Sequence, residues 1–425
     1  MYIYVSNISE RIKYTINWVF SNTDINIHLC DEKSEFLAFQ GPKFNYSDEL
    51  FEGFLGIRPA ALMHEKTIKN LNIKKAVFFK EECLSFNSNT DPFASIFYVL
   101  SRYEEYGVSA RDSHNRFYAG LSVLSKYDWL QKLMCERWKE DILFFLNQGL
   151  KMNIGIIDKS VKFLPTFDID NAFAFKYKPL TRRILSNVKD LVKLNFPRIN
   201  SRRQVLKNNL PDPYDTFSLI EEISSQREVL VFWLLGSFSQ YDKNLPSNNG
   251  HQISLIQQLA NRVKIGIHPS YLSNKKKKLL HKEVKSLENI LGNNVIQSRQ
   301  HFLKLTFPET YRNLIEVGIE HDYSMGYADN VGFRAGTVRP FPWFDLEKNC
   351  ETSLIIHPFS YMDGTLNEYL GLTVEQAKST IAHLYSEIKN FGGEFSFIWH
   401  NETINDQGKW AGWTKVLDYT LSLDK

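Results

Sequence analysis

Alternating strand-like and helix-like segments over the last two thirds of the chain predict an α/β protein. After the turn signal Pro211-Asp-Pro213, short apolar runs recur at 230–235, 263–267, 295–299, 319–322, 353–356 and 394–399, with helical patterns between most of them. With the run that ends at Asp168 they make about seven βα units. That count favours a distorted parallel (β/α) barrel over an open sheet. A smaller α/β domain of unknown role is expected over 1–155 and the barrel domain over 156–425, with the boundary near Gly155 to Lys162.

In the first part, residues 2–5 read as a strand, 11–20 as a helix and 25–29 as a second strand. Apolar residues at helical spacing run from Pro92 to Tyr106, and the polar end of that run, Arg102, Glu104 and Glu105, reads as architecture rather than chemistry. A further helix is expected from about 129 to 150, with Trp129, Leu130, Leu133, Trp138 and Ile142 near one face. Nothing before residue 155 assembles a convincing catalytic set.

At 425 residues, with 43% hydrophobic and 23% charged side chains, the composition is that of a soluble globular protein. The net charge of +3 gives no case for nucleic acid as the main partner. Cys30, Cys83, Cys135 and Cys350 form no CxxC pair, which argues against a zinc cluster and a disulfide framework and fits a reducing compartment. No basic and apolar leader pattern opens the sequence, and the run Val229–Leu235 is too short to span a bilayer, so a cytoplasmic protein without a transmembrane segment is expected. Between Lys176 and Lys207 the chain turns basic, with Asp190 its single acid. Leu180, Ile184, Val188, Leu191 and Leu194 give this insertion an apolar stripe suited to peripheral contact with an anionic surface or an acidic substrate. The more ordinary reading is a solvated helix hairpin.

The chemistry is expected at strand ends. Asp168 and Asp170 close the run Phe163-Leu-Pro-Thr-Phe-Asp-Ile-Asp170, and carboxylates two apart on a strand point the same way. Two like charges in one small volume need a proton or a cation between them, so the pair suggests a metal ligand beside a general base. His268, Arg299, His301, Asp322, His357 and His400 end or follow later strands. Each alone is an ordinary turn or core residue, but at one end of a barrel they form a candidate site.

With these residues in place, the region from about 160 to 425 resembles a NodB-type polysaccharide deacetylase domain of the carbohydrate esterase family 4 group, in its bacterial branch with an extra N-terminal domain. Thr166-Phe-Asp-Ile-Asp170 resembles the first motif, Gly266-Ile-His-Pro-Ser-Tyr271 the second, Arg299-Gln-His-Phe302 the third and Phe397-Ile-Trp-His400 the last. The resemblance implies a hydrolase that removes an acetyl group, foremost N-acetyl, from a sugar or polysaccharide precursor. It implies a divalent cation, zinc the expected ion, on Asp170 and His268. Asp168 would be the base, Arg299 its orienting partner and His400 the general acid, with the Phe302 backbone N–H at the oxyanion and Asp322 at a further strand end. The second motif departs from the pattern: the position four after His268 is Leu272 rather than a metal-binding His, and His301 is the expected substitute. The loop around Tyr327, Phe333, Phe341, Trp343 and Phe344, with Arg334 as a substrate-contact candidate, is suited to a sugar ring or equally to a packed core. A catalytically inactive glycan-binding protein and a metal-dependent hydrolase of a non-sugar amide are the alternatives.

Overall fold

The computed structural model describes residues 1–424. Three short parallel strands, β1 (Tyr2–Tyr4), β2 (His28–Cys30) and β3 (Lys43–Asn45), form a sheet in the order β2-β1-β3. The antiparallel strands β4 (Ile73–Val77), β5 (Glu82–Phe86) and β6 (Asn89–Thr90) form another. The helix Pro92–Leu100 follows, started by Asp91, whose carboxylate accepts from the N–H groups of Phe93 and Ala94. All its residues are buried, as expected of a helix without a polar face. The expected continuation to Tyr106 is interrupted at Arg102, which adopts a left-handed backbone at φ 54°, and a short turn of helix resumes over Tyr103–Gly107. The helix expected from 129 begins only at Met134 and runs to Leu150, the residues before it being spent in turns.

The second part is built on one nine-stranded sheet. Its strands are β7 (Val161–Ile169), β8 (Leu230–Trp233), β9 (Lys264–Ile267), β10 (Gln297–Ser298), β11 (His321–Asp322), β12 (Phe341–Asp345), β13 (Cys350–Ile356), β14 (Tyr361–Met362) and β15 (Gly393–His400). Their order is β12-β13-β11-β10-β9-β8-β7-β15-β14, parallel throughout except for β12. Among the described residues no ladder joins β14 back to β12 or β13, so the sheet is open at that seam. The sequence pattern missed β12, which lies in the aromatic-rich stretch read as a loop, and β14, which is two residues long.

The period of two divides each strand. Phe163, Phe167, Ile169, Val231 and Trp233 belong to the large core, while Leu164, Leu230 and Phe232 form a separate small cluster with Tyr323 on the other face. By the same alternation Asp168, next to last in β7, shares the face of Leu164. Gly266 lets β9 come close to its neighbour: a Cβ there would stand 2.8 Å from the carbonyl oxygen of Gln297 and from the Phe232 ring.

The first 150 residues are tied to this sheet by buried polar contacts as well as by a common core. Arg102 and Arg334 both pair with Glu105, at 2.8 and 2.5 Å, and Arg102 also donates to the Arg334 carbonyl. Arg137 grips Glu387 through two bonds at 2.8 and 2.9 Å, and Tyr14 Oη donates to the Pro342 carbonyl at 2.9 Å.

Candidate metal centre and active site

Asp168 lies one residue before the end of β7 and Asp170 just past it. Asp168 is buried, and its Oδ1 accepts from Arg299 Nη1 at 2.8 Å. Arg299 is fully buried as well; its Nε donates to the Tyr323 carbonyl at 2.9 Å, and its guanidinium lies 4.4 Å from the centre of the Phe232 ring. A guanidinium held on two sides and against a ring face fixes the direction of the carboxylate it touches.

His268 follows β9. Its Nδ1 stands 2.6 Å from the Arg299 carbonyl oxygen, which can only accept, so Nδ1 carries the hydrogen and Nε2 of the neutral ring presents a lone pair. That Nε2 is 3.2 Å from Asp170 Oδ1. His301 repeats the arrangement from the loop after β10: Nδ1 is 2.9 Å from Asp242 Oδ1, and Nε2 is 3.3 Å from Asp170 Oδ2. One ligand atom from each of Asp170, His268 and His301 lies within 4.8 Å of the others. Asp170 Oδ1 is buried without a hydrogen-bond partner although a ring nitrogen is close by.

Lone pairs that face one another need a cation between them. In the metal-free protein a proton takes that part. Burial pushes His301 down, but Asp170 and then Asp242 outweigh it and raise the imidazole to about 9. Burial pushes Asp170 up, and His301, with His268 and His400, reverses this and holds it well below the usual carboxylate range. The donor set is three N/O atoms on one side, with each imidazole's outer nitrogen held by a carboxylate or a carbonyl, a chemistry suited to a divalent cation. The residues present therefore fit a divalent cation; His301 stands beside Asp170 and His268, whereas Leu272 is 40% exposed and carries no ligand atom.

His400 ends β15 and is register-paired with Asp168 on β7. Its Nδ1 lies 2.8 Å from Asp363 Oδ1 and its backbone N–H donates to Asp363 Oδ2 at 2.9 Å, which leaves Nε2 for another partner. Burial lowers the ring, but Asp363 first, then Asp170 and Asp168, carry it well above the usual histidine range. His400, Asp168, Asp170, His268, His301 and Phe302 line a cavity of about 170 Å³, room for a small group rather than a whole oligosaccharide. A wider cavity of about 590 Å³ shares Glu368, Glu402, Thr403 and Trp410 with it. Phe302 adopts a left-handed backbone at φ 62°, and its carbonyl accepts from Arg116 Nη1 at 2.9 Å.

Of the residues singled out from sequence, Asp322 and Arg334 are not brought to this cavity. Asp322 is fully buried among Ser298 Oγ at 2.8 Å and the N–H and Oγ of Ser324, so its oxygens are used inside the fold. Arg334 is spent on Glu105 and the Gly326 carbonyl. The aromatic residues Tyr327, Phe333, Phe341, Trp343 and Phe344 are all buried, which makes that stretch core and edge strand rather than a sugar platform. His357 pairs with Glu394 at 2.7 Å and stacks on Tyr323, away from the cavity.

Sequence reasoning missed Asp242, Asp363, Glu402 and Arg116. Burial, then Asp170, raises Glu402 to about 7 at the wall between the two cavities. Arg116 comes from the part of the chain before residue 155, which had given no sign of a catalytic contribution.

An open α/β sheet that gathers Asp, His and Arg side chains at its strand ends defines the class: a protein with a candidate metal centre at the mouth of a mostly parallel sheet. A family of unknown function, DUF7033, matches residues 1–151. No curated protein matches. Among solved structures, a Mycobacterium smegmatis protein assigned as a polysaccharide deacetylase aligns at 14% identity and TM-score 0.40, covering 64% of this chain and 87% of its own. PuuE allantoinase aligns at 11% and 0.35, covering 62% and 84%, and a polysaccharide deacetylase from Bacillus cereus at 10% and 0.28, covering 63% and 89%. At these scores the likeness carries nothing about activity.

Proposed function

We propose that the chain is a metal-dependent hydrolase that removes an acetyl group, foremost N-acetyl, from a sugar or polysaccharide precursor. The observation that carries the reading is the convergence of Asp170, His268 and His301 beside the Arg299-held Asp168. The substrate class rests on the resemblance of the four motifs to NodB-type deacetylases. Asp170, His268 and His301 would hold a divalent cation, zinc the expected ion, which would supply positive charge to polarise a carbonyl and acidify water. Asp168 takes the proton of the attacking water, and Arg299 keeps that carboxylate aimed. The Phe302 N–H is the candidate donor to the oxyanion. His400, protonated and anchored by Asp363, gives its Nε2 proton to the leaving nitrogen as the C–N bond breaks, so the products are acetate and a free amine. Asp242 and the Arg299 carbonyl hold the two imidazoles in the ligating tautomer. Glu402 and Trp410, on the wall shared by both cavities, are placed to meet the rest of the substrate.

The test is acetate release from a panel of N-acetylated sugars, O-acetylated sugars and non-sugar acetamides, with the protein loaded in turn with zinc, cobalt and manganese. Release from the N-acetyl sugars, abolished by chelation and by Asp168→Asn, is the expected result. Turnover of non-sugar amides alone points to the amidohydrolase alternative. A fully metal-loaded protein that turns over nothing and still binds glycan points to the inactive binder.

A further inference from the structure

The basic insertion folds as two helices, Leu180–Val192 and Phe196–Leu206, joined by a short turn. The first is inverted with respect to an ordinary surface helix, which turns its apolar stripe to the core. Here the polar side faces the protein. Arg202 on the second helix donates to Ser186 Oγ at 2.7 Å and to Asn187 and Asp190, while Arg182 donates to the Asn244 carbonyl at 2.7 Å and lies 3.8 Å from the centre of the Phe238 ring. The apolar side faces out. Leu180 and Leu185 are 67% exposed and Val192 78%, with Ile184, Val188 and Leu191 between them on the same arc, Leu194 in the turn and Phe196 at the start of the second helix. Eight large apolar side chains in one contiguous exposed strip form a patch that soluble monomers rarely leave uncovered.

What covers it is indicated by charge. Arg183, Lys189, Lys193, Arg198, Arg203 and Lys207 are exposed on the same hairpin, and its single acid, Asp190, is buried in pairs with Arg202 and Arg198. A second copy of the chain would bring these cations together with their own kind, which opposes association. An anionic lipid surface accepts both features: the apolar strip enters the acyl boundary and the flanking lysines and arginines meet the headgroups.

We propose that the 180–206 hairpin docks the protein on an anionic membrane surface. Asn195, Pro197, Arg198 and Ser201 of the same hairpin line the wider cavity that adjoins the candidate active site, so docking brings the mouth of the cleft within about one helix diameter, roughly 10 Å, of the lipid. A substrate attached to that membrane would reach the site without leaving it.

The experiment is co-sedimentation of the full chain with vesicles of phosphatidylcholine alone and with phosphatidylglycerol added, over a salt series. Two variants run beside it, Leu185→Glu with Val192→Glu and Lys189→Glu with Lys193→Glu. All four positions are exposed, and unchanged melting temperature and metal content confirm that the variants are folded. Binding to the phosphatidylglycerol vesicles that falls with salt, and by at least about tenfold in each variant, is the expected result. No binding to either vesicle, or binding that both variants retain, overturns the proposal. So does a dimer, seen by light scattering, that the first variant dissolves while no vesicle is bound. The readout is independent of turnover, so it stands or falls separately from the proposed hydrolysis.

Discussion

Metal affinity at this centre should rise steeply with pH, and the size of the effect follows from His301. Without metal its imidazole is raised to about 9 by Asp170 and Asp242, against the effect of burial. Protonation occupies Nε2, the atom 3.3 Å from Asp170 Oδ2, so a divalent cation must displace that proton before the ring can ligate. At about pH 7, below the folded value of about 9, the displacement costs on the order of 3 kcal/mol, a factor of roughly 100 in apparent affinity. Affinity should therefore climb about tenfold per unit from about pH 6 to 8 and level off above about 9. Calorimetric titration with zinc in two buffers of different ionisation enthalpy reads both quantities, and about one proton per ion should be released at neutral pH. An affinity that is flat over this range with no proton release would show that His301 is not displaced from a protonated state and does not ligate. The same shift has a stability counterpart in the metal-free protein. His301 is raised from 6.5, so its contribution, about 3 kcal/mol, is fully present below about pH 6.5 and lost as pH rises through about 9, measurable as a falling chemical-denaturation midpoint.

Asp168→Asn should lower acetate release by at least about a hundredfold and also cost stability. It leaves the buried Arg299 without its counter-charge, a loss of up to about 3–5 kcal/mol partly offset because the amide oxygen still accepts; urea unfolding beside the activity assay separates the two. Asp363→Asn removes the leading cause of the raised His400, so the high-pH limb of kcat/KM should move to lower pH with metal content unchanged, as read from a pH profile. Glu105→Ala takes its carboxylate partner from the buried Arg334, while Arg102 keeps Glu104 at 3.0 Å, and should destabilise by about 3–5 kcal/mol on denaturant unfolding, while zinc affinity of the folded fraction stays as it was.

The parts of the site that lie on or beside strands were legible in the sequence. Asp168, His268, His301 and His400 each close or follow an apolar run, and a run that alternates over a sheet places its last residue at the strand end. The gap left by Leu272 pointed to His301, just past the neighbouring strand, and its ring stands 5.0 Å from that of His268. The residues that hold these groups were not legible. Asp242 is 59 positions from His301 and Asp363 is 37 from His400, and each sits in a loop whose path depends on tertiary packing rather than on local pattern. Asp322 misled because a strand-end carboxylate satisfied by Ser298 and Ser324 has the same sequence signature as one left free for a ligand. The nine-stranded sheet was undercounted because β14 is too short for a period to show and β12 lies among glycines, prolines and arginines that read as a loop. The Phe341–Asp345 aromatics looked like a binding surface for the same reason they make a strand: large rings suit a buried face and a sugar face alike. No helix among the described residues is long and apolar enough to cross a membrane, in line with the apolar runs read from the sequence.

The most direct measurement is anomalous diffraction from crystals of the zinc-loaded protein, collected on either side of the zinc absorption edge. A single strong peak about 2.0–2.2 Å from an Asp170 carboxylate oxygen, His268 Nε2 and His301 Nε2 is the expected result. No peak among these three residues at full zinc loading, or a peak ligated by Asp170 and His268 with His301 still bound to Asp170 alone, would contradict the metal centre on which the proposed hydrolysis depends.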